Sequence, residues 1–330
     1  MRTLHTFAVV LALLTLPLAA QSPARPEEPQ APQNAIVVTA QRSGAPMWTI
    51  DTEDGSSTVI LVGEIRRVPE VTPWQPDRLK DATAEADRVI ISARPKFSPG
   101  DFFRLLFRGG KFLNLPKKTV AGDYLDTAQR ARLAALEEKY DKDYDRRSFL
   151  ITGFNLLTRQ LDFDDDTLDD DATDIVKKAA KKAKVPITSP ERFRGEDLLD
   201  NLAQAEPASH IPCLEAAMTA TEAGPGIIEA RGRDWTKFNV PAVMENPLEV
   251  ALGQCWPWAD PEVGTQIRDQ WTGMIAQAGA QTGTTLAVVP LRVLAERDGV
   301  LDQLERQGFD IAGPEWRAPQ DEAPQSSPET

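Results

Sequence analysis

Runs of apolar residues with two different spacings divide the first part of the chain into predicted strands and helices. Segments 48–50 and 58–62 are apolar and flank Asp54-Gly55, a dipeptide typical of a hairpin turn. Residues 73–86 have apolar positions at helical spacing. Residues 89–91 then form a short, wholly apolar segment of the kind found in buried strands. Strand, helix and strand in this order predict a βαβ unit with a right-handed crossover.

Helical spacing dominates the rest of the chain. The predicted helices are 127–139, 148–161, 172–184, 196–206, 212–222, 225–239, 261–279 and 294–307. Further strands are predicted at 185–187, 284–289 and 309–311. This alternation predicts an α/β fold, in which a mixed β-sheet core with repeated strand-turn units packs against a large helical middle.

The two ends of the chain differ in character from this central part. Arg2, the apolar run 7–16 and the small residues at 18–20 have the layout of a secretory signal peptide. The run is too short to cross about 30 Å of hydrocarbon comfortably. We therefore expect cleavage rather than anchoring, no membrane span in the mature chain, and a periplasmic or secreted location. The predicted organisation is signal peptide 1–20, Pro-rich linker 21–45, domain 46–317 and disordered tail 318–330.

Composition narrows the possible chemistry. The 330 residues have a formal net charge of -13, which argues against nucleic acid as a partner. The chain has two histidines and two cysteines, and His5 lies in the predicted signal peptide. The mature chain therefore cannot build the common zinc sites with three His, four Cys or two of each. Export favours a disulfide between Cys213 and Cys255, with two buried free thiols as the alternative.

A cluster of aspartates between residues 162 and 171 raises the possibility of calcium. The twelve-residue EF-hand pattern with its central Gly and terminal Glu is missing. The acids precede predicted helix 172–184, whose last turns contain five lysines. Negative charge at the start of a helix and positive charge at its end complement the helix dipole, and we favour this interpretation.

Two segments share one layout. In 59–66 and again in 286–292, an apolar strand is followed by a turn that presents one arginine, Arg66 or Arg292. In α/β sheets such strand ends gather at one edge, where ligands bind.

The sequence resembles the TraB/PrgY/GumN family, relatives of the TIKI metalloproteases, over about residues 46–317. The resemblance rests on several short elements in the family's order and spacing. They are Pro46-Met47-Trp48, the strand and turn 59–69 ending in Val68-Pro69, segment 84–91 with Ala86-Asp87, Arg268-Asp269-Gln270-Trp271, and the closing segments 299–304 and 308–309. It implies a TraB/TIKI-like fold and, for active relatives, a divalent metal held by two Gly-x-x-His turns and acidic residues.

The chain departs from the family pattern where the metal would bind. Gly63 is kept in the first turn, but Arg66 stands where His is expected. In the second turn Val289 replaces Gly and Arg292 replaces His. The two expected glutamates after strands 89–91 and 185–187 are replaced by Ser92-Ala93 and by residues 188–190. A guanidinium has five donors and no lone pair, so neither arginine can ligate a metal.

These departures predict an inactive relative that uses no cofactor, no metal and no catalytic residue. If Arg66, Arg268 and Arg292 converge, they form a cationic pocket for an anionic small molecule or a peptide carboxylate. The alternative is internal neutralisation by Glu64, Asp269 or Glu296. The hypothetical ligand-binding residues are Gly63, Glu64, Arg66, Arg268, Trp271 and Arg292.

Two other functions stay open from the sequence. One is an active, peptidase-like hydrolase with a non-standard site, for which Ser92, Ser189 and His210 are available, although His210 is more simply a packing residue. The other is interaction. The apolar stretch 35–40 in the linker resembles the energy-coupling box of TonB-dependent receptors, or is merely a short edge strand. Residues 21–45 could then dock an envelope protein.

Overall fold

A five-stranded mixed sheet organises the part of the chain that the computed structural model describes, which is residues 44–52, 55–92, 113–163, 165–191 and 195–318. The strands are β1 (Met47–Asp51), β2 (Ser57–Glu64), β3 (Arg88–Ile91), β4 (Ile187–Thr188) and β5 (Gly283–Pro290). Their order across the sheet is β1-β2-β5-β3-β4. The β1–β2 pair is antiparallel, as the hairpin signal predicts, and the remaining pairs are parallel.

Helices surround this sheet and fill the middle of the chain. They are α1 (Asp77–Glu85), α2 (Thr127–Tyr140), α3 (Phe149–Asn155), α4 (Ala172–Ala183), α5 (Gly195–Gln204), α6 (Ile211–Ala223), α7 (Gly226–Thr236), α8 (Val240–Glu245), α9 (Pro247–Gln254), α10 (Pro261–Gly279), α11 (Leu291–Ala295) and α12 (Val300–Arg306). The predicted α/β fold, with a mixed sheet and a large helical middle, is confirmed.

The two strands that precede the arginine turns lie side by side. In the parallel register of β2 and β5, Gly63 faces Val289 and Glu64 faces Pro290. Strand β5 also pairs with β3, so it separates the two parallel strands of the predicted βαβ unit. Leu286 to Val289 are fully buried, as a wholly apolar central strand requires. Both turns therefore leave the sheet at the same edge.

Two predictions at the end of the chain are wrong. Segment 294–307 is not one helix, because α11 ends at Ala295 and α12 begins at Val300. Gly299 has extended backbone there, and a Cβ on it would lie 2.6 Å from the carbonyl oxygen of Glu296. Residues 309–311 form no strand either. In this closing segment, one residue, Ala312, pairs with β1 through two backbone hydrogen bonds with Thr49, of 2.8 and 2.9 Å.

The Asp-rich run ends in a helix cap. Asp171 is the N-cap of α4, and its side chain accepts a hydrogen bond of 2.9 Å from the backbone N–H of Asp174. Lys178, further along the helix, pairs with Asp170. These contacts match the expected charge pattern of the helix.

The helical middle has an apolar core of its own, separate from the core around the sheet. The predicted disulfide joins Cys213 of α6 to Cys255, directly after α9, with 4.6 Å between the Cα atoms. It ties together two helices that line the helical core.

None of the described helices is both long and apolar enough to span a bilayer.

Several predictions concern residues that the structure does not describe. The signal peptide 1–20, all but the last two residues of linker 21–45, and the tail after residue 318 lie outside the described residues. Gly44 and Ala45, which are described, lead directly into β1, and Ala45 is buried.

Candidate functional site

The end of β2 packs tightly against the helix that follows β5. A Cβ on Gly63 would lie 2.6 Å from Cδ1 of Leu291 and 3.0 Å from the ring of Trp48. A side chain at position 63 would therefore have to displace the Leu291 methyl group or the Trp48 ring, which glycine avoids. This packing is a physical reason for the glycine of the first turn.

Helix α7 holds the backbone of the first turn at two points. The indole Nε1 of Trp235 donates a 2.8 Å hydrogen bond to the carbonyl oxygen of Gly63. One turn earlier in the helix, Nη1 of Arg231 donates a 3.0 Å hydrogen bond to the carbonyl oxygen of Arg66. The four-residue spacing places both donors on one face of α7. The shape of the turn is therefore fixed from outside the sheet.

Arg231, Glu249 and Arg292 form a buried cluster that links the two turns; we call it the arginine cluster. Nε and Nη2 of Arg231 both lie 2.6 Å from Oε2 of Glu249. Nη2 of Arg292 lies 3.2 Å from Oε1 of the same carboxylate and also donates to the backbone carbonyl of Glu249. Arg292 lies in helix α11, directly after β5, and not in a turn as predicted. The cluster thus runs from the start of α11 through Glu249 to Arg231, which also holds the first turn.

The arginine cluster contains more positive than negative charge. Two guanidinium groups share one carboxylate, and the side chains of Arg231 and Glu249 are only 4% and 6% exposed. Burial alone would raise the pKa of Glu249, but Arg231 and Arg292 outweigh it and hold the pKa below its usual range. The cluster therefore keeps a net positive charge, and Nε of Arg292 is buried with no hydrogen-bond partner among the described residues.

The local sequence makes room for this arrangement. Pro247 starts α9, and the Asn246 side chain caps it by accepting a 3.0 Å hydrogen bond from the N–H of Leu248. Gly253 lies on the same helix one turn after Glu249. A Cβ there would overlap Nη1 of Arg292, so the guanidinium occupies the space that the missing side chain leaves.

Glu64 is buried where the first turn meets helix α4. Its Oε1 accepts a 2.9 Å hydrogen bond from the backbone N–H of Thr173, and its Oε2 is buried without a partner among the described residues. Burial, together with the negative charge of Asp171, raises the pKa of Glu64 to about 7, against the opposing influence of Thr173 and Arg66. This carboxyl therefore holds its proton to higher pH than an ordinary glutamate does.

The other predicted ligand-binding residues have different surroundings. Arg66 is exposed, and its side chain makes no ion pair with any described residue. Arg268 pairs with Glu296 at 2.8 Å, as the alternative of internal neutralisation predicts, and also bonds Thr265. Trp271 is buried in the core around the sheet. Each of the three arginines thus has its own environment, and whether any of them binds an anion stays a prediction.

In the described part of the chain, no hydrogen bond joins His210 to Ser92 or Ser189. His210 ends a short 3-10 turn before α6, and burial lowers its pKa. Ser92 follows β3, and its Oγ is buried with no hydrogen-bond partner in the described part of the chain. A nucleophile and its base need hydrogen-bond contact, which is missing for Ser92 here.

The family model for TraB/PrgY/gumN proteins matches residues 46–312, which is most of the chain. The chain belongs to the TraB/PrgY/gumN family. A comparison with curated proteins found no match. The predicted family is therefore confirmed.

The metal expected in active TraB/PrgY/gumN relatives does not fit the donors present in this member. At the two turns the expected histidines are guanidinium groups, and Arg292 is already paired with Glu249. Glu64 gives one oxygen to helix α4 and is surrounded by protein. Within the described residues, no three His, Cys, Asp or Glu side chains are close enough to share a metal ion.

Sequence reasoning missed two residues of the arginine cluster. Arg231 sits in the segment 226–236 beside apolar and aromatic positions, and Glu249 lies among the apolar residues of α9. Glu249 is the one charge in the apolar helix α9, and such a charge is a signal for a buried ion pair, whereas Arg231 has Glu229, Arg233 and Asp234 beside it. The partner of each charge, however, lies 18 residues or more away along the chain and depends on tertiary packing.

We expect Glu249→Gln to destabilise the protein by about 3–5 kcal/mol, because it leaves two buried guanidinium groups facing each other. Urea unfolding of the parent and the variant measures this change. Glu296→Gln is the matched control, since it breaks the partly exposed pair with Arg268 and should cost no more than about 1 kcal/mol. Equal losses of unfolding free energy in the two variants would show that the buried arginine cluster stabilises the protein no more than the partly exposed pair does.

Glu64 should make the protein less stable as the pH rises. A carboxyl whose pKa is higher in the folded than in the unfolded state binds more protons when folded, so stability falls from about pH 4.5 to about pH 7. The free energy of unfolding of Glu64→Gln minus that of the parent should therefore increase by on the order of 2–3 kcal/mol from pH 5 to pH 8. Unfolding curves at both pH values test this, with Glu70→Gln at an exposed neighbouring position as control. A pH dependence unchanged by Glu64→Gln contradicts the assignment.

Proposed function

We propose that this TraB/PrgY/gumN protein is exported, has lost metal-dependent hydrolysis, and binds an anionic ligand at the exposed turn that carries Arg66. The ligand is an anionic small molecule or the carboxylate of a peptide. Export rests on the signal-like layout of residues 1–20.

Loss of the family reaction is supported by the chemistry of the two turns. Metal ions in hydrolases need ligands with lone pairs and an open position for water. Arg66 and Arg292 offer neither, and their fixed positive charges repel a divalent cation. The net charge of the arginine cluster adds to this repulsion at the same edge of the sheet.

The observation that carries the anion proposal is the contrast between Arg66 and the other two arginines. Arg268 and Arg292 are held in ion pairs, whereas Arg66 is exposed and unpaired among the described residues. Its backbone is fixed by Arg231, and the arginine cluster behind it has an excess of positive charge. A guanidinium on a rigid turn, backed by a positive field, is well suited to a carboxylate or another oxyanion.

The alternative is an active hydrolase with a non-standard site. The burial of Glu64 favours it, because burial and Asp171 raise the pKa of this carboxyl to about 7, in the range of a general acid. With 2% of its surface exposed, however, Glu64 has no direct contact with a substrate in solution. We therefore place anion binding first. Docking of an envelope protein by residues 21–45 stays a separate prediction.

Anion binding can be tested with two simple probes at pH 6 and constant ionic strength. Sulfate represents inorganic oxyanions, and N-acetyl-alanyl-alanine represents a peptide carboxylate. We expect one of them to raise the melting temperature of the mature protein, because a ligand that binds only the folded state stabilises it. Calorimetric titration then gives the affinity.

The variants decide where the anion binds. Arg66→Ala should abolish the stabilisation by the anion, while Arg78→Ala, which removes another exposed arginine on α1, should leave it intact. A response that Arg66→Ala retains, or the absence of any response in the parent, contradicts the proposal.

A further inference from the structure

Glu64 has an unusual position for an ionisable group. It is two residues before Arg66 on the same turn, and it is almost completely buried. One carboxyl oxygen caps the start of α4 at Thr173, while the other has no partner among the described residues. A buried oxygen without a donor is costly for a carboxylate and much less so for a neutral carboxylic acid.

Two charged groups among the described residues act on this carboxyl. Asp171, the N-cap of α4, opposes its ionisation, and Arg66 favours it. The arginines on α7, α10 and α11 are engaged elsewhere, since Arg231 and Arg292 bind Glu249 and Arg268 binds Glu296. Among the described cations, Arg66 is the one whose charge acts on Glu64, while Arg67 beside it is exposed.

We propose that the proton on Glu64 controls anion binding at Arg66. When Glu64 is neutral, the positive field of Arg66 is available to an anion. When Glu64 is ionised, its negative charge offsets that field, repels the anion and weakens binding. This inference rests on the anion binding proposed above and names its regulation.

The direction of the effect follows from the titration of Glu64. Its pKa of about 7 means that the neutral form dominates in mildly acidic solution and the ionised form in mildly alkaline solution. Anion affinity should therefore fall as the pH rises through neutrality. Linkage requires the reciprocal effect, so that a bound anion raises the pKa of Glu64 and binding takes up protons near pH 7.

The test measures affinity for sulfate and for N-acetyl-alanyl-alanine between pH 5.5 and pH 8.5, a range in which neither probe changes charge. We expect the parent to lose affinity about fivefold or more across this range, a typical size for coupling between two sites. In Glu64→Gln the side chain stays neutral and can still accept the N–H of Thr173. Its affinity should be independent of pH and equal to that of the parent at low pH.

A second variant tests the same idea without changing Glu64. Asp171→Asn keeps a good N-cap but removes the charge that opposes ionisation of Glu64. The loss of affinity should then occur at lower pH than in the parent. Calorimetry in buffers of different ionisation enthalpy should also show proton uptake by the parent at pH 7 and none by Glu64→Gln.

The outcomes separate this inference from the proposed function. Anion binding that is independent of pH in the parent, or that falls equally in parent and Glu64→Gln, overturns control by Glu64 and leaves anion binding standing. Control by Glu64 is also contradicted if affinity falls at the same pH in Asp171→Asn as in the parent. If the parent binds neither probe at any pH, both the proposed function and its regulation by Glu64 are wrong.

Discussion

Glu249 accepts both Arg231 and Arg292, and this shared carboxylate connects the parts of the molecule on which the site depends. Arg292 comes from the helix that follows β5, and Arg231 from α7 in the helical middle. Arg231 also donates a hydrogen bond to the backbone carbonyl of Arg66, in the turn after β2. In active relatives a metal is expected to join the two turns. In this chain, a network of buried charges and hydrogen bonds joins them.

The network has consequences for each neighbouring residue. It holds Arg292 away from solvent, in the space that Gly253 leaves free, and fixes the backbone of Arg66 while its side chain stays exposed. Glu64, at the end of β2, is buried beside the start of α4. Among the described residues, the site thus has an exposed arginine, Arg66, and a buried carboxyl whose pKa is raised towards neutral pH.

Much of the fold could be predicted because its signals are local. The hairpin at β1 and β2, the buried strand β5 and helix α10 follow from apolar spacing and turn residues over short segments. The similarity of the two arginine turns correctly indicated that they are neighbours, and the cysteine count indicated the disulfide. The break at Gly299 was missed because the helical spacing of 294–307 continues across it, while packing of the backbone carbonyls decides the conformation.

The site was only partly predictable for a related reason. Sequence showed which groups replaced the expected ligands, but not where their side chains point. The direction of Arg292 depends on Glu249, 43 residues earlier, and on the missing side chain of Gly253. The pKa of Glu64 likewise depends on burial and on Asp171, which is more than one hundred residues away along the chain. Such contacts arise from tertiary packing and leave little trace in local patterns.

Metal content tests the central claim most directly. The mature protein, prepared without a histidine tag, would be incubated with Zn²⁺ or Mn²⁺, dialysed against metal-free buffer and analysed by mass spectrometry for bound metal. His210→Ala removes the one histidine of the mature chain as a control. The account predicts no stoichiometric ion in either protein. One retained ion per chain that survives His210→Ala would contradict it, because the charge network would then not have taken the place of the metal.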